Sequence, residues 1–597
     1  MNAVVAAKRA PRWYLYVLGA VIAVIVAIPV WIVFVMLVIQ PSSLMNAEQT
    51  MGNRVFWLII IPVALVALLF AGMRRTAARS AQAPSTAIIA VQEAPDTAHL
   101  EQAKREYVLE IMGMGVTLDK YRQDKLWEAL QSGSPYSSVR EQDPQKYLWD
   151  ANDKDGLGGK RLDDALENGF SRSPMYWGVP SFFVSGPDKA GEVPQPDDPV
   201  LGGIAHLEFH LTVAAPWLLA ERPDRILEDV FAIFDKYPDL PYIVLTSEDS
   251  AGSRDMNRSP GSPALLKDGY YVPEMPDASA VFILARRERV DPLRKFVWDD
   301  PDDEFLHDKL RWMYCTLESD LPQPDRKSPS RTVAQIAADS SMTLSEGRGM
   351  RPITVDEWLE ASAIFSKRYD VVNQGTFSNV LHHRDFPVHR PPQGWKPTPW
   401  FPVPWTRDQL KKFDNLPSLG FLHRPTFVKM SDEHGKPLER REARQQALLA
   451  GWREALLTLP EADRLKTPAR LIVATGGNAE QTIALNRVLR EHEALGGPEL
   501  DTSKPTQFID TDRRLGNTGA ATLFVQMAIG VMGSHLDGGI SAAINLRDRG
   551  EASIVFISPP LPEHVKPTTN GAPFESHVTP NIDPKNYVTP PLSIDHR

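Results

Sequence analysis

The chain has 597 residues, a formal net charge of −10 at pH 7 and a single cysteine, Cys315. The acidic balance argues against a general nucleic-acid binder, which would present a basic face. One cysteine excludes an intrachain disulfide, as is usual in the reducing cytoplasm. The length suggests one large domain or two to three ordinary ones.

The first 75 residues contain two long apolar runs, at positions 13–40 and 56–73. Each is long enough to cross a hydrocarbon core, which requires roughly 20 residues in a helix. We therefore expect a transmembrane helical hairpin over residues 1–75. A cleaved signal peptide is the alternative for the first run, but its apolar core would span only about 7–15 residues.

The charges around these runs predict the orientation of the hairpin. Basic residues lie outside both runs: Lys8, Arg9 and Arg12 before the first, and Arg74, Arg75 and Arg79 after the second. Because lysine and arginine are enriched on the cytoplasmic side of membrane helices, we expect both termini and the rest of the chain in the cytoplasm.

After the hairpin the composition changes to that of a globular α/β protein. Short apolar strands alternate with amphipathic helices, which predicts a mostly buried sheet covered by helices. The expected segments are a linker at 76–101, a first α/β half at 102–385, a proline-rich connection at 386–420, a second α/β half at 421–560 and an extended tail at 561–597.

One internal echo links the two halves. The sequence Asp-Ala-Ser-Ala-Val-Phe-Ile at 277–283 recurs as Glu-Ala-Ser-Ile-Val-Phe-Ile at 551–557. In each half a helix and a short strand that ends in small polar residues precede the echo. We therefore expect a duplicated body with two central sheets related by pseudo-symmetry, in which these two segments are equivalent.

Several short motifs resemble the thiolase and ketosynthase fold. They are Gly113-Met-Gly-Val, Trp127-Glu-Ala-Leu, Ala474-Thr-Gly-Gly-Asn and Leu515-Gly-Asn-Thr-Gly-Ala-Ala. The resemblance implies a cysteine nucleophile and two histidines, or a histidine and an asparagine, that activate it and bind the oxyanion.

The chain departs from that pattern at the reactive positions. Cys315 lies in the middle of a helical pattern, after the strand that should follow the nucleophile. The first histidine would fall at Ala474 or Thr475, and the second at Asn517. We therefore interpret Ala474, Gly476, Asn478 and Asn517 as degenerate thiolase-like positions and expect no catalytic residue and no cofactor. A thiolase-like acyltransferase that acts on acyl-thioesters through displaced residues is the alternative.

Longer motifs are similar to the type VI secretion lipase-adaptor family. They are Met114-Gly-Val-Thr-Leu-Asp-Lys-Tyr-Arg, Lys125-Leu-Trp-Glu-Ala-Leu and Thr511-Asp-Arg-Arg-Leu-Gly-Asn-Thr-Gly. This resemblance implies an adaptor or chaperone in the bacterial inner membrane that binds a secreted phospholipase effector and delivers it to the spike protein.

Two groups of histidines have residue types that can bind a metal ion. His206, Glu208 and His210 are spaced by two, so a strand would place them on one side, where they could bind zinc with an open fourth position. A polar strand face is the favoured interpretation, because no cysteine or further histidine has ligand spacing. His382, His383 and His389 fit a solvated loop, so we expect no metal.

An aromatic run lies in the proline-rich connection. Trp395, Trp400, Phe401 and Trp405 are interleaved with prolines and could bind a partner. The same residues could equally pack on their own domain, and the sequence does not choose between these hypotheses.

Overall fold

The computed structural model describes residues 102–170, 180–184, 186, 211–214, 222–256, 258, 261–297, 392–396, 404–562 and 573–576. The expected transmembrane hairpin, the linker up to residue 101 and residues 386–391 and 397–403 of the proline-rich connection lie outside these ranges.

The described body is built on strands that form one hydrogen-bonded sheet. The strands are β1 (Val108–Leu118), β2 (Tyr121–Arg122), β3 (Pro180–Val184), β4 (Leu211–Ala214), β5 (Tyr242–Asp249), β6 (Ala278–Ala285), β7 (Gly420–His423), β8 (Thr426–Lys429), β9 (Arg470–Ala474), β10 (Phe508–Asp510), β11 (Ser541–Asn545) and β12 (Glu551–Ser558).

The helices between the strands cover both halves of this sheet. They are α1 (Gln123–Gln131), α2 (Ala151–Phe170), α3 (Ile226–Lys236), α4 (Ala251–Met256), α5 (Arg407–Asn415), α6 (Arg441–Leu456), α7 (Ala479–Ala494), α8 (Thr511–Arg514) and α9 (Thr522–Asp537). Short 3-10 turns, including Gly519–Ala521 before α9, complete the described helical structure.

The order of the strands confirms the predicted duplication. From the middle of the sheet outward, one half runs β1-β6-β5-β3-β4 and the other runs β7-β12-β11-β9-β10. Successive pairs are antiparallel, antiparallel, parallel and parallel in both halves. Two halves with the same chain order and the same directions are related by a pseudo-two-fold.

The echo segments occupy the equivalent strands β6 and β12. Ile283 lies opposite Val244 of β5, and its counterpart Ile557 lies opposite Ser541 of β11. The expectation of two separate sheets needs correction, because β1 also pairs with β7, with Val108 opposite His423. Backbone hydrogen bonds at this junction join the two halves into one continuous sheet.

Helix α9 lies between the two halves. It contacts β9, β11 and β12 of the second half and β1 and β6 of the first. The stretch Gly519–Asp537 is the one described helical segment long and apolar enough to cross a membrane, yet 83% of its apolar window is buried in the protein. This helix is therefore part of the core of the described body.

Glycines in β1 allow helix α2 to approach the sheet closely. A Cβ atom at Gly115 would lie 1.9 Å from the carbonyl oxygen of Ala165, and one at Gly113 would lie 2.5 Å from that of Gly169. These distances are far below van der Waals contact, so only glycine fits this strand–helix contact.

Residues 573–576 of the segment predicted as an extended tail pack on the body. Phe574 is only 3% exposed, and its ring lies edge-on to the His535 imidazole with the ring centres 5.2 Å apart. The hydroxyl of Ser576 donates a hydrogen bond to the side-chain oxygen of Asn168 at 3.2 Å.

Candidate functional site

A buried carboxylate joins the end of strand β5 to the turn before helix α9. Asp249, the last residue of β5, is fully buried. Its Oδ2 accepts a hydrogen bond from the backbone N–H of Ala520 at 2.7 Å. The N-terminus of a long helix is a natural anion site, because its first N–H groups lack intrahelical partners. The Ala520 N–H lies in the 3-10 turn Gly519–Ala521 that leads into this helix, and it donates to the chain's own carboxylate.

An arginine and two glycines complete this junction. The Arg254 guanidinium in α4 donates from Nε to Asp249 Oδ1 at 2.7 Å. A Cβ atom at Gly519 would lie 1.9 Å from Oδ2, and one at Gly186 would lie 2.7 Å from Oδ1. The carboxylate therefore occupies the space that the two glycines leave open.

A second carboxylate closes the turn after strand β9. Asp512 Oδ2 accepts the backbone N–H groups of Thr475 and Gly476 at 2.6 and 2.7 Å, and Oδ1 accepts Arg547 Nη1 at 3.0 Å. Gly476 and Gly477 both have positive φ angles, of 63° and 71°. Successive N–H groups in such a turn converge on an anion, which here is an internal one.

The two junctions have the same chemical character. At Asp249 the one backbone N–H of Ala520 donates to the carboxylate, and at Asp512 the two backbone N–H groups of Thr475 and Gly476 do so. An anionic oxygen that arrived at either point would meet a carboxylate instead of a free donor. These contacts therefore hold segments of the chain together and have a structural role.

The four degenerate thiolase-like positions lie on the two turns of these junctions. The Ala474 carbonyl accepts the N–H of Leu546 at 2.7 Å, and Gly476 donates to Asp512. Asn478 begins helix α7, with its side-chain oxygen accepting Glu480 N–H at 3.0 Å. Asn517 is exposed, and its side-chain oxygen accepts Gly519 N–H at 3.0 Å.

Arg514 fastens the second half to helix α1 of the first half. Its Nη2 donates to the carbonyl oxygens of Ala129 and Ser132, both at 3.1 Å, and its side chain is only 2% exposed. Burial lowers the pKa of this guanidinium. Carbonyls at a helix C-terminus carry partial negative charge and favour such a cation.

Sequence reasoning singled out the motif around Arg514 but did not find these contacts. Asp512 and Arg514 are both part of Thr511-Asp-Arg-Arg-Leu-Gly-Asn-Thr-Gly. Asp249 and Arg254 were missed altogether. The acidic and basic residues that follow one another in this motif, together with its glycines, were the sequence features that could have indicated a structural junction.

The candidate metal and thiol residues lie outside the described part of the chain. This applies to His206, Glu208, His210, Cys315, His382, His383 and His389. Within the residues that the structure describes, no group of three or more His, Cys, Asp or Glu side chains could hold a metal ion.

The structure corrects the partner-binding hypothesis for Trp405. This side chain is 2% exposed and packs on Phe413, with the ring centres 5.2 Å apart. Thr406 and Gln409 form a capping box at the start of helix α5, so Trp405 immediately precedes a helix. An apolar residue in that position typically packs back on the first turns of the helix, and this local signal predicts burial.

The other aromatic residues of the run give less information. Trp395 is partly buried and lies edge-on to Phe296, with the ring centres 5.5 Å apart. Trp400 and Phe401 lie outside the described residues. Their role in partner binding stays a prediction.

Two family models match the two halves of the duplicated body. The model described as the N-terminal part of the type VI lipase adapter protein Tla3 matches residues 107–268, from strand β1 past β5. The model described as the C-terminal part matches residues 419–559, from β7 to the end of β12. Together they cover about half of the 597 residues. The chain therefore belongs to the Tla3 family of type VI lipase adapter proteins.

Solved structures of condensing enzymes are also similar to this chain at low identity. A ketosynthase domain of oxazolomycin biosynthesis from Streptomyces albus is 8% identical, covers 78% of this chain and 99% of its own, and has a TM-score of 0.33. The 3-oxoacyl-(acyl carrier protein) synthase III of Pseudomonas aeruginosa is 12% identical, with 77% and 100% covered and a TM-score of 0.27. These neighbours are of the fold type expected from the motifs.

Proposed function

We propose that this chain is a membrane-anchored adaptor that binds a type VI secretion phospholipase in the cytoplasm and delivers it to the secretion spike. Membership of the lipase adapter family supports the lipase as partner. The observation that carries the non-enzymatic part is the pair of internal carboxylates, Asp249 and Asp512, on the backbone N–H groups at the strand and helix ends.

Acyl transfer requires free donors for the charge that develops on the substrate oxygen. To free the Ala520 N–H for a substrate, the Asp249 carboxylate would have to move away, and this movement would also break its ion pair with Arg254. Breaking a buried ion pair typically costs roughly 3–5 kcal/mol. A substrate would have to supply that free energy before any chemistry began, so the body is better suited to binding than to catalysis.

The proposal places the chain in the bacterial inner membrane, with both termini in the cytoplasm. The two apolar runs and the arginines outside them support this topology. A reporter active only outside the cytoplasm can be fused after Arg79 or within the loop near Ala47. We expect activity from the loop fusion alone, and activity from the Arg79 fusion alone would contradict the topology.

A secretion assay tests delivery. In cells that lack this chain, we expect the phospholipase to accumulate inside and to disappear from the type VI secreted fraction, while a spike protein is still secreted. Expression of the full chain should restore lipase secretion. Equal lipase secretion with and without the chain would contradict the proposed function.

A further inference from the structure

Two neighbouring loops present large apolar side chains to solvent. Trp149 is 52% exposed, Tyr270 is 49% exposed, and Leu265 of the same loop as Tyr270 is 47% exposed. The backbone N–H of Gly269 donates to the carbonyl of Trp149 at 2.7 Å, which brings the two loops together. The other described tryptophans are buried or partly buried, so Trp149 differs from them.

A lysine holds both loops in place. Lys154 Nζ donates to the carbonyl oxygens of Trp149, Lys267 and Gly269 at 3.0, 2.7 and 2.8 Å. The same ammonium lies 4.5 Å from the centre of the Tyr271 ring. Because the Lys154 ammonium donates to three loop carbonyl oxygens, it orders the backbone that carries the exposed Trp149 and Tyr270 rings.

Fixed aromatic side chains are efficient binding anchors. Tryptophan and tyrosine are enriched among the residues that dominate binding free energy. A surface that is already ordered loses less conformational entropy when a partner docks. Loops that were merely solvated would not need a partly buried lysine to order them.

Charge around the exposed rings indicates the kind of partner. Residues 143–155 and 261–274 carry six carboxylates against three lysines, so these segments have an excess of negative charge. Complementary potentials steer association and select partners. The matching surface is an apolar pocket with lysines and arginines at its rim.

We infer that the surface formed by Trp149, Leu265 and Tyr270, which we call the aromatic loop surface, docks a protein that offers an apolar pocket with a basic rim. The inference rests on the proposed function, because it takes this partner to be the phospholipase.

The test uses the full-length chain in detergent and purified type VI lipases of the source genome, each titrated singly. We expect Trp149→Ala and Tyr270→Ala each to weaken lipase binding by at least about tenfold. Raising the salt from roughly 50 to 300 mM should weaken the wild-type complex further, because the screening length shortens. Tyr136→Ala is the matched control, since Tyr136 is 60% exposed and lies on another loop.

The outcomes separate this inference from the proposed function. Wild-type binding that survives in both variants, with unchanged thermal unfolding, would overturn the aromatic loop surface and leave the adaptor intact. Failure of the wild-type chain to bind any lipase would contradict the proposed function itself. Self-association of the wild-type chain that is lost in the variants, with unchanged lipase affinity, would assign the surface to self-association and overturn the inference.

Discussion

The Asp249 carboxylate accepts the backbone N–H of Ala520 at 2.7 Å, so the last residue of a first-half strand is fastened to the turn before helix α9 of the second half. The two residues are 271 positions apart in the sequence. Since Arg254 neutralises the same carboxylate, this junction combines a hydrogen bond between the halves with a buried charge pair.

Asp249→Ala is expected to lower the free energy of unfolding by about 3 kcal/mol, because it leaves Ala520 N–H and Arg254 without their acceptor. The value lies at the lower end for a buried pair, since the Arg254 side chain is 26% exposed. Denaturant titration measures it. Glu439→Ala, which breaks the exposed pair with Lys436, is the control and should change nothing measurable. Equal stability of the two variants would show that the contacts of Asp249 with Ala520 and Arg254 do not stabilise the fold.

Asp512→Ala is expected to loosen the turn after strand β9. The amides of Thr475 and Gly476 lose their acceptor, and their hydrogen exchange should become faster. The Glu480 amide is the internal control, because it donates to Asn478 instead. Unchanged exchange at Thr475 and Gly476 would show that Asp512 does not hold this turn.

Much of the fold followed from local patterns. The alternation of short apolar strands with amphipathic helices predicted an α/β body, and strand β6 and helix α3 are elements of these two kinds. The seven-residue echo predicted the duplication. Strands β6 and β12 occupy equivalent positions in the two halves, so similar surroundings favour similar residues in both. Helix α2 was missed, since Gly156, Gly158 and Gly159 weaken its pattern.

The site could not be predicted in the same way. The contact between Asp249 and Ala520 depends on how two distant segments fold onto each other. The local sequence of neither segment indicates that the other is its neighbour. For Trp405 the sequence left partner binding and packing on its own domain equally open. Its burial depends on Phe413 and the rest of the core, although the capping box beside it was visible in the sequence.

Two glycine substitutions of opposite sign test the strand–helix packing. Gly115→Ala should destabilise the chain by at least about 2 kcal/mol, because the added methyl group would overlap Ala165. Gly159→Ala in helix α2 meets no atom within 4 Å and should stabilise it by about 0.5–1 kcal/mol. Thermal unfolding compares them. A Gly115→Ala variant as stable as the wild type would show that the helix does not approach β1 this closely.

The buried imidazole of His423 should contribute less to stability at mildly acidic pH than at neutral pH. Burial lowers the pKa of His423 from its usual 6.5 to about 4, and its ring nitrogens contact Thr458 O and Ser558 Oγ. Between these pKa values the unfolded chain binds a proton that the folded chain does not. The contribution of His423 to the free energy of unfolding therefore decreases as pH falls from about 6.5 to about 4, by up to about 1.4 kcal/mol per pH unit.

Denaturant titrations from pH 7.5 to 4 isolate this contribution by comparison with His423→Gln, which cannot titrate. The difference between the two proteins should change with pH in that window. His434→Gln is the control, because His434 is exposed. A His423→Gln variant with the same pH dependence as the wild type would contradict a buried neutral imidazole.

Isothermal titration of a purified type VI phospholipase into the detergent-solubilised full-length chain tests the central claim, an adaptor with no acyl-transfer chemistry. In a parallel titration, an acyl-thioester is added to the same protein in place of the lipase for comparison. The expected result is saturable binding of the lipase and neither heat nor turnover with the thioester. Thioester turnover by the chain, together with no binding of any lipase, would contradict the adaptor and favour an enzyme.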